Sequence, residues 1–107
     1  MEIKQVKVEV LLPEETIIPL RDALHSEGFL KVGDYDHVVS FSYVHGYYRP
    51  LETASPFKGE RGIIQTGTEC KLTFRCMLEE VRAVQAIIER VHPYEEPVMY
   101  VVPLLDI

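Results

Sequence analysis

The chain has 107 residues, a mass of 12.3 kDa, 47% hydrophobic and 26% charged residues, and a formal net charge of −6. That is the length and composition of a single globular domain spanning 1–107, large enough to bury a core without disulfide or metal staples. Seventeen acidic against 11 basic residues argue against nucleic-acid binding and against docking on anionic membranes. No apolar run reaches the roughly 18 residues of a membrane span. The start, Met1-Glu2-Ile3-Lys4-Gln5, lacks the basic-then-apolar pattern of a signal peptide. The expected location is the cytoplasm.

Residues 2–12 alternate as a strand, with Val6, Val8, Val10 and Leu12 on one side and Lys7 and Glu9 on the other. Pro13 to Thr16 then opens a helix predicted over 16–27. Thr16 is the candidate N-cap, Pro19 falls in the first turn, and Ile17, Leu20 and Leu24 form the buried stripe. Gly28 is placed to end this helix in a left-handed conformation, with Phe29 folding back on Leu24. Gly33 to Asp36 reads as a turn and residues 37–45 as a second strand with Val39, Phe41 and Tyr43 on one face.

Residues 46–63 contain Gly46, Pro50, Pro56, Gly59 and Gly62 and make no regular element. A loop that long in so small a domain is usually functional or interfacial. Residues 64–77 form the third strand, with Cys70, Leu72, Phe74 and Cys76 on its apolar side. The two cysteines lie six residues apart, about 20 Å along a strand, and so cannot bridge each other; buried free thiols are expected. A second helix over 79–91 carries Val81, Val84, Ile88 and Val91 at helical spacing and stops at His92-Pro93. The last strand, 98–104, is apolar on both faces, which suggests that one of them meets another subunit.

The order β-α-β-β-α-β defines an α+β fold, the ferredoxin-like split β-α-β. Right-handed crossovers put both helices on one sheet face.

Three clusters carry candidate chemistry. Asp34, Asp36 and His37 offer carboxylates and an imidazole to a divalent cation, or else form a turn whose Asp side chains accept backbone N–H bonds. In His92-Pro93-Tyr94-Glu95-Glu96-Pro97, two prolines stiffen the connection and fix the directions of His92, Tyr94 and Glu95. That suits a small-molecule or metal site between subunits, or helix termination with an inter-subunit hydrogen-bond cluster. The stretch Gly46 to Glu52 pairs Tyr47 and Tyr48 with Arg49, a composition that favours interfaces or stacking on a base. Arg49, Lys58 and Arg61 against Glu52 and Glu60 leave the loop with a net charge of +1, which admits a small anion. No serine elbow or activated cysteine is signalled, and the adjacent Glu95 and Glu96 make a poor acid/base pair.

Gly33-Asp34-Tyr35-Asp36, Gly46, Arg49-Pro50-Leu51-Glu52 and Pro56 to Gly62 resemble the YqfO-type domain of the Ngg-one-interacting-factor-three (Nif-three-like) family. His92 to Pro97 resembles the end of the same domain, and a similar segment occurs in the CutA divalent-cation-tolerance family. The resemblance covers essentially the whole chain. It departs from the family pattern at Val38, Val44 and Thr53, where Cys, Gly and Gly are frequent. It implies a PII/CutA-like fold that trimerises, without the dinuclear metal domain of the larger family members.

The expected function is therefore a non-enzymatic PII/CutA-like module, a homotrimer that binds a small ligand or metal at subunit clefts. Its ligand-binding candidates are Asp36, His37, Arg49, Glu52, His92, Tyr94 and Glu95. A metal-dependent hydrolase or enzyme subunit and a pure assembly domain are the alternatives. No resident cofactor is expected. Were a divalent metal to bind, His37 and His92 would converge with Asp36 or Glu95, and nitrogen and oxygen donors would suit Zn, Mn or Ni better than Cu(I).

Overall fold

The alternation of the first dozen residues becomes strand β1, Gln5–Leu12, in a computed structural model that describes residues 2–106. Val6, Val8, Val10 and Leu12 are all buried, as their parity predicts. A 3-10 turn at Glu14–Thr16 leads into helix α1, Ile17–Ser26. Thr16 is not the side-chain cap expected of it. The preceding turn already winds its backbone into helical angles (φ −88°, ψ −14°), and its hydroxyl makes no capping bond. The other end follows the expectation. Gly28 has φ +94°, its N–H donates to the His25 carbonyl at 3.0 Å, and the Phe29 N–H donates to Leu24 at 3.1 Å. This paired bonding closes the helix in a Schellman motif.

Between α1 and the next strand, the Val32 and Tyr35 backbones exchange hydrogen bonds around Gly33-Asp34, and the Val38 N–H returns to the Leu30 carbonyl at 3.0 Å. His37 takes φ +56°. Strand β2 therefore begins only at Ser40 and runs to Tyr48, three residues later at each end than the pattern predicts. Strand β3, Gln65–Met77, buries Cys70, Leu72, Phe74 and Cys76. Both cysteines are free, and burial pushes their thiols above the ordinary range. A second 3-10 turn, Leu78–Glu80, holds the Met77 N–H on the Glu80 carboxylate at 2.8 Å and starts helix α2, Val81–Val91. Its buried stripe is Val84, Ile87 and Ile88, with Val81 and Val91 at the margins. Strand β4, Met99–Pro103, closes the sheet.

The sheet order is β2-β3-β1-β4 with every neighbouring pair antiparallel. Together with the two helices, this is the ferredoxin-like arrangement expected from the element order. Val8 faces Phe74 and Val10 faces Leu72 across β1 and β3. On the same side Leu20 and Leu24 of α1 and Val84, Ile87 and Ile88 of α2 complete one core. The opposite face carries Lys7, Glu9, Lys71 and Arg75, with Tyr100 and Val102 of β4 beside Glu9 and Lys7.

Two strands depart from expectation in burial. In the single chain β4 is not enclosed: it is the sheet edge, and Tyr100, Val101 and Val102 are 58, 37 and 38% exposed. Phe41 and Tyr43 share a face but stand exposed, because β2 is the opposite edge. Residues Val44–Tyr48 pair with Gln65–Glu69 beyond the last β1 partner, Leu12 opposite Cys70, so β2 and β3 continue as a two-stranded arm. The arm helps to raise the radius of gyration to 15.1 Å, against about 13 Å for a compact chain of this length.

Candidate functional site

The arm supplies the floor of a cavity of about 520 Å³. Val44, Gly46 and Tyr48 of β2, Gly67 and Glu69 of β3, and Leu11 at the end of β1 contribute to it. Its walls are the 49–64 loop, through Arg49, Pro50, Ala54, Pro56, Phe57 and Lys58, and the 92–98 segment, through Tyr94, Glu95, Glu96 and Val98. An apolar lining with a few convergent polar groups is the usual character of a small-molecule site.

Local chemistry holds the loop in this shape. The Gly62 N–H donates to the Pro50 carbonyl at 2.6 Å, Arg61 Nε donates to the Ala54 carbonyl at 2.6 Å, and the Tyr48 hydroxyl donates to the Lys58 carbonyl at 3.1 Å. Gly59 sits at φ +94°, where an added Cβ would lie 2.8 Å from Gln65 Cγ and 3.1 Å from the Tyr48 hydroxyl. Only glycine fits both that backbone and that space.

The 92–98 segment is anchored from below. His92 is 6% exposed and extended (φ −69°, ψ 134°), which ends α2. Its Nδ1 accepts the Tyr94 N–H at 3.1 Å, so the ring proton is on Nε2, which donates to the Leu11 carbonyl at 2.6 Å. Both ring nitrogens are thus used within the chain, and the His92 imidazole is a clamp between α2 and β1. Tyr94 follows, its ring 4.7 Å from that of His92 and 5.8 Å from that of Phe57. The Tyr94 hydroxyl donates to the Glu69 carboxylate. Burial first, and then that carboxylate, push the Tyr94 phenol well above its ordinary value. Glu95 reaches across to the loop and accepts the Ser55 N–H at 2.9 Å. The hydrogen bonds that the sequence suggested between subunits are therefore satisfied inside one chain.

Of the seven predicted site residues, the structure brings Arg49, Tyr94 and Glu95 to this cavity. Glu52 lies in the same loop beside Gly62 but outside the lining. His92 is buried beneath it. Asp36 and His37 lie before the other end of β2, a strand about 26 Å long at roughly 3.3 Å per residue. His37 Nδ1 is 2.9 Å from Asp36 Oδ1, and this hydrogen bond holds the Asp36 carboxyl below its usual range. The predicted meeting of His37 with His92 does not occur, because the two histidines serve opposite ends of the fold. Glu69, Phe57 and Lys58 were missed as site residues. Glu69 had one legible sign, its place on the polar side of an otherwise regular alternation.

The comparisons with known proteins agree with this architecture. No family model matches the chain. A GTP cyclohydrolase 1 type 2 homolog of Staphylococcus epidermidis is 33% identical over 92 residues, which is 86% of this chain and 25% of that protein. Its Staphylococcus aureus counterpart is 28% identical over the same extent. Among solved structures, a Bacillus cereus protein related to NIF3 superposes with a TM-score of 0.81 at 26% identity, over 97% of this chain and 26% of its own. CutA from Synechococcus elongatus PCC7942 gives a TM-score of 0.72 at 21% identity, covering 97% of this chain and 80% of that one. B. subtilis GlnK gives 0.64 at 18% identity, covering 94% and 85%. The last two speak for the fold alone. The chain spans about a quarter of the length of the curated relatives it matches. It thus has homologues in the Nif-three-like family, where it corresponds to that quarter, and its fold is the CutA/PII-like form of the ferredoxin arrangement.

Proposed function

We propose that this chain is a non-enzymatic, oligomeric PII/CutA-like module that binds a small ligand in the cavity over the β2–β3 arm. One observation carries the reading. Arg49 and Lys58 stand on the wall of a mostly apolar cavity with no carboxylate in ion-pair range among the described residues. Such a wall suits a ligand with an anionic group and a flat apolar part, the latter against Phe57 and Tyr94. Two of the cavity's three acids, Glu69 and Glu95 but not Glu96, are held in hydrogen bonds within the chain, which supports a binding role over catalysis. Glu69 is engaged by Tyr94 and Glu95 by Ser55, so neither is presented as a free base. Anilinonaphthalene sulfonate, which is flat and anionic, is the first probe. Arg49→Gln should weaken its binding about tenfold, worth about 1.4 kcal/mol. Equal affinity for wild type, Arg49→Gln and Phe57→Ala would defeat the proposal.

The oligomer in this reading is a homotrimer, in keeping with the sequence resemblance. Support comes from the apolar side chains left at the two sheet edges, Tyr100 and Val102 on β4 and Phe41 and Tyr47 on β2. Exposed apolar strands at a sheet edge call for cover. Light scattering should give a particle about three times the 12.3 kDa chain mass; a lone chain at micromolar concentration would reject it. No helix among the described residues is long and apolar enough to cross a membrane. The two free thiols suit a reducing compartment, and the cytoplasm remains the proposed location.

A further inference from the structure

A second cluster lies away from the cavity, where the last turn of α1 meets the loop before β2. His25 sits three residues before Gly28, the left-handed close of α1, and is fixed there by the bond from the Gly28 N–H to its carbonyl. Opposite it, the 30–38 loop is pinned by the Val32–Tyr35 bridge and by the Val38 N–H on Leu30. The left-handed backbone of His37, φ +56°, lets its ring lie over His25, with centroids 3.7 Å apart and planes within 25°. Asp36 completes the group, and one donor atom from each of the three lies within 4.8 Å of the others. Asp22, one turn before His25, is 3.9 Å from His37 Nε2, with Arg21 on the same carboxylate oxygen at 3.0 Å.

We propose that His25, Asp36 and His37 form a site for a divalent transition-metal ion, of which Zn²⁺ is the representative. The two imidazoles offer two nitrogen donors beside a carboxylate, a donor set that suits Zn²⁺ and fits Mg²⁺ or Ca²⁺ poorly. Zn²⁺ with nitrogens at about 2.0–2.1 Å needs donors roughly 3.3 Å apart. From the present spread of up to 4.8 Å the donors must draw together, and the two half-buried imidazoles must turn out of their stack so that their in-plane nitrogens converge on the ion. Three protein donors leave a fourth position to water or a ligand. The thiols do not compete, since Cys70 and Cys76 are buried on β3. The ion would tie the end of α1 to the loop that feeds β2. This site is independent of the cavity reading, and either can fail alone.

Calorimetric titration of the full, untagged chain with ZnCl₂ should show one saturable ion per chain and a rise in melting temperature, because the ion binds only the folded form. His25→Gln and His37→Asn should each weaken binding about tenfold or more. Asn is chosen at 37 because it tolerates the left-handed backbone, and far-UV circular dichroism would verify that both variants fold. Asp34→Asn, an exposed neighbour outside the donor group, should bind as wild type does. Saturable binding undiminished in both histidine variants overturns the site. So does the absence of saturable binding in wild type. Equal loss in Asp34→Asn would also overturn it, by showing diffuse acidic attraction in place of a defined donor set.

Discussion

The two halves of the sheet use the same apolar residue types to different ends. Where β1 and β3 run under the helices, Val8, Leu12 and Leu72 have no exposed surface. Along the β2–β3 arm and its loop, Tyr47, Ile64, Leu51 and Phe57 are 80, 67, 58 and 51% exposed. The covered half is complete in one chain. The arm is held by local hydrogen bonds and by Tyr94 and Glu95, and the rest of its apolar surface is available to a ligand or another copy. In this protein, residue type alone does not mark the core; the reach of α1 and α2 does.

The sharpest break in that contrast pairs a substitution beneath the helices with one directly opposite it on the edge strand β2. Leu72→Ala should cost about 2–5 kcal/mol, since it opens a void under both helices. Phe41→Ala, at a position 49% exposed in the single chain, should cost well under about 1 kcal/mol at concentrations where the trimer has dissociated and more where it is assembled. Urea unfolding of both at two protein concentrations measures this, and a concentration-dependent Phe41→Ala penalty would place that ring in an interface.

Tyr94→Phe comes next, with an expected loss of about 1–2 kcal/mol from the bond to Glu69. It also has a pH signature. The folded phenol ionises above its ordinary value, so its contribution is fully present below about pH 10, the unfolded value. It declines as pH rises beyond that, because the unfolded state then releases the proton first. Tyr94→Phe should therefore flatten part of the alkaline fall in stability. An unchanged alkaline limb would mean that the phenol is solvated.

The smallest effect is expected at the latch. Glu95→Ala should cost about 1 kcal/mol or less, because Glu95 and its Ser55 partner are both exposed. It should nevertheless speed hydrogen exchange at the Ser55 amide while leaving exchange in β1 unchanged. Equal acceleration at both would mean that loop and core open together.

The covered half was largely legible in the sequence. Period-2 runs in β1 and β3, helical spacing in α1 and α2, and glycine at the close of α1 are local signals, and each matched its element. What escaped was non-local or set by an edge. The Tyr94–Glu69 bond spans 25 positions and the His92–Leu11 bond 81. His92 was legible as a helix stop, but its burial depends on where β1 ends, which its neighbours in sequence do not encode. The shift of β2 to Ser40–Tyr48 follows from the left-handed turn at His37, a conformation that a histidine side chain does not announce. The cavity was legible in Arg49, Tyr94 and Glu95 because prolines and glycines flank them. Its floor was not, because it is made where the arm outruns β1.

The placement of the two thiols gives the protein an internal chronometer. Only a thiolate attacks a disulfide reagent, and both cysteines are buried with their ionisation disfavoured. Labelling must therefore wait for β3 to leave its neighbours. Cys70 pairs with Leu12 at the junction of arm and body, whereas Cys76 pairs with Val6 at the far end of the same strand. If the sheet opens as one unit, the two sulfurs react at a single rate in dilute denaturant. If the arm peels away first, Cys70 reacts ahead of Cys76, and the interval between them times how far the arm loosens before the core follows.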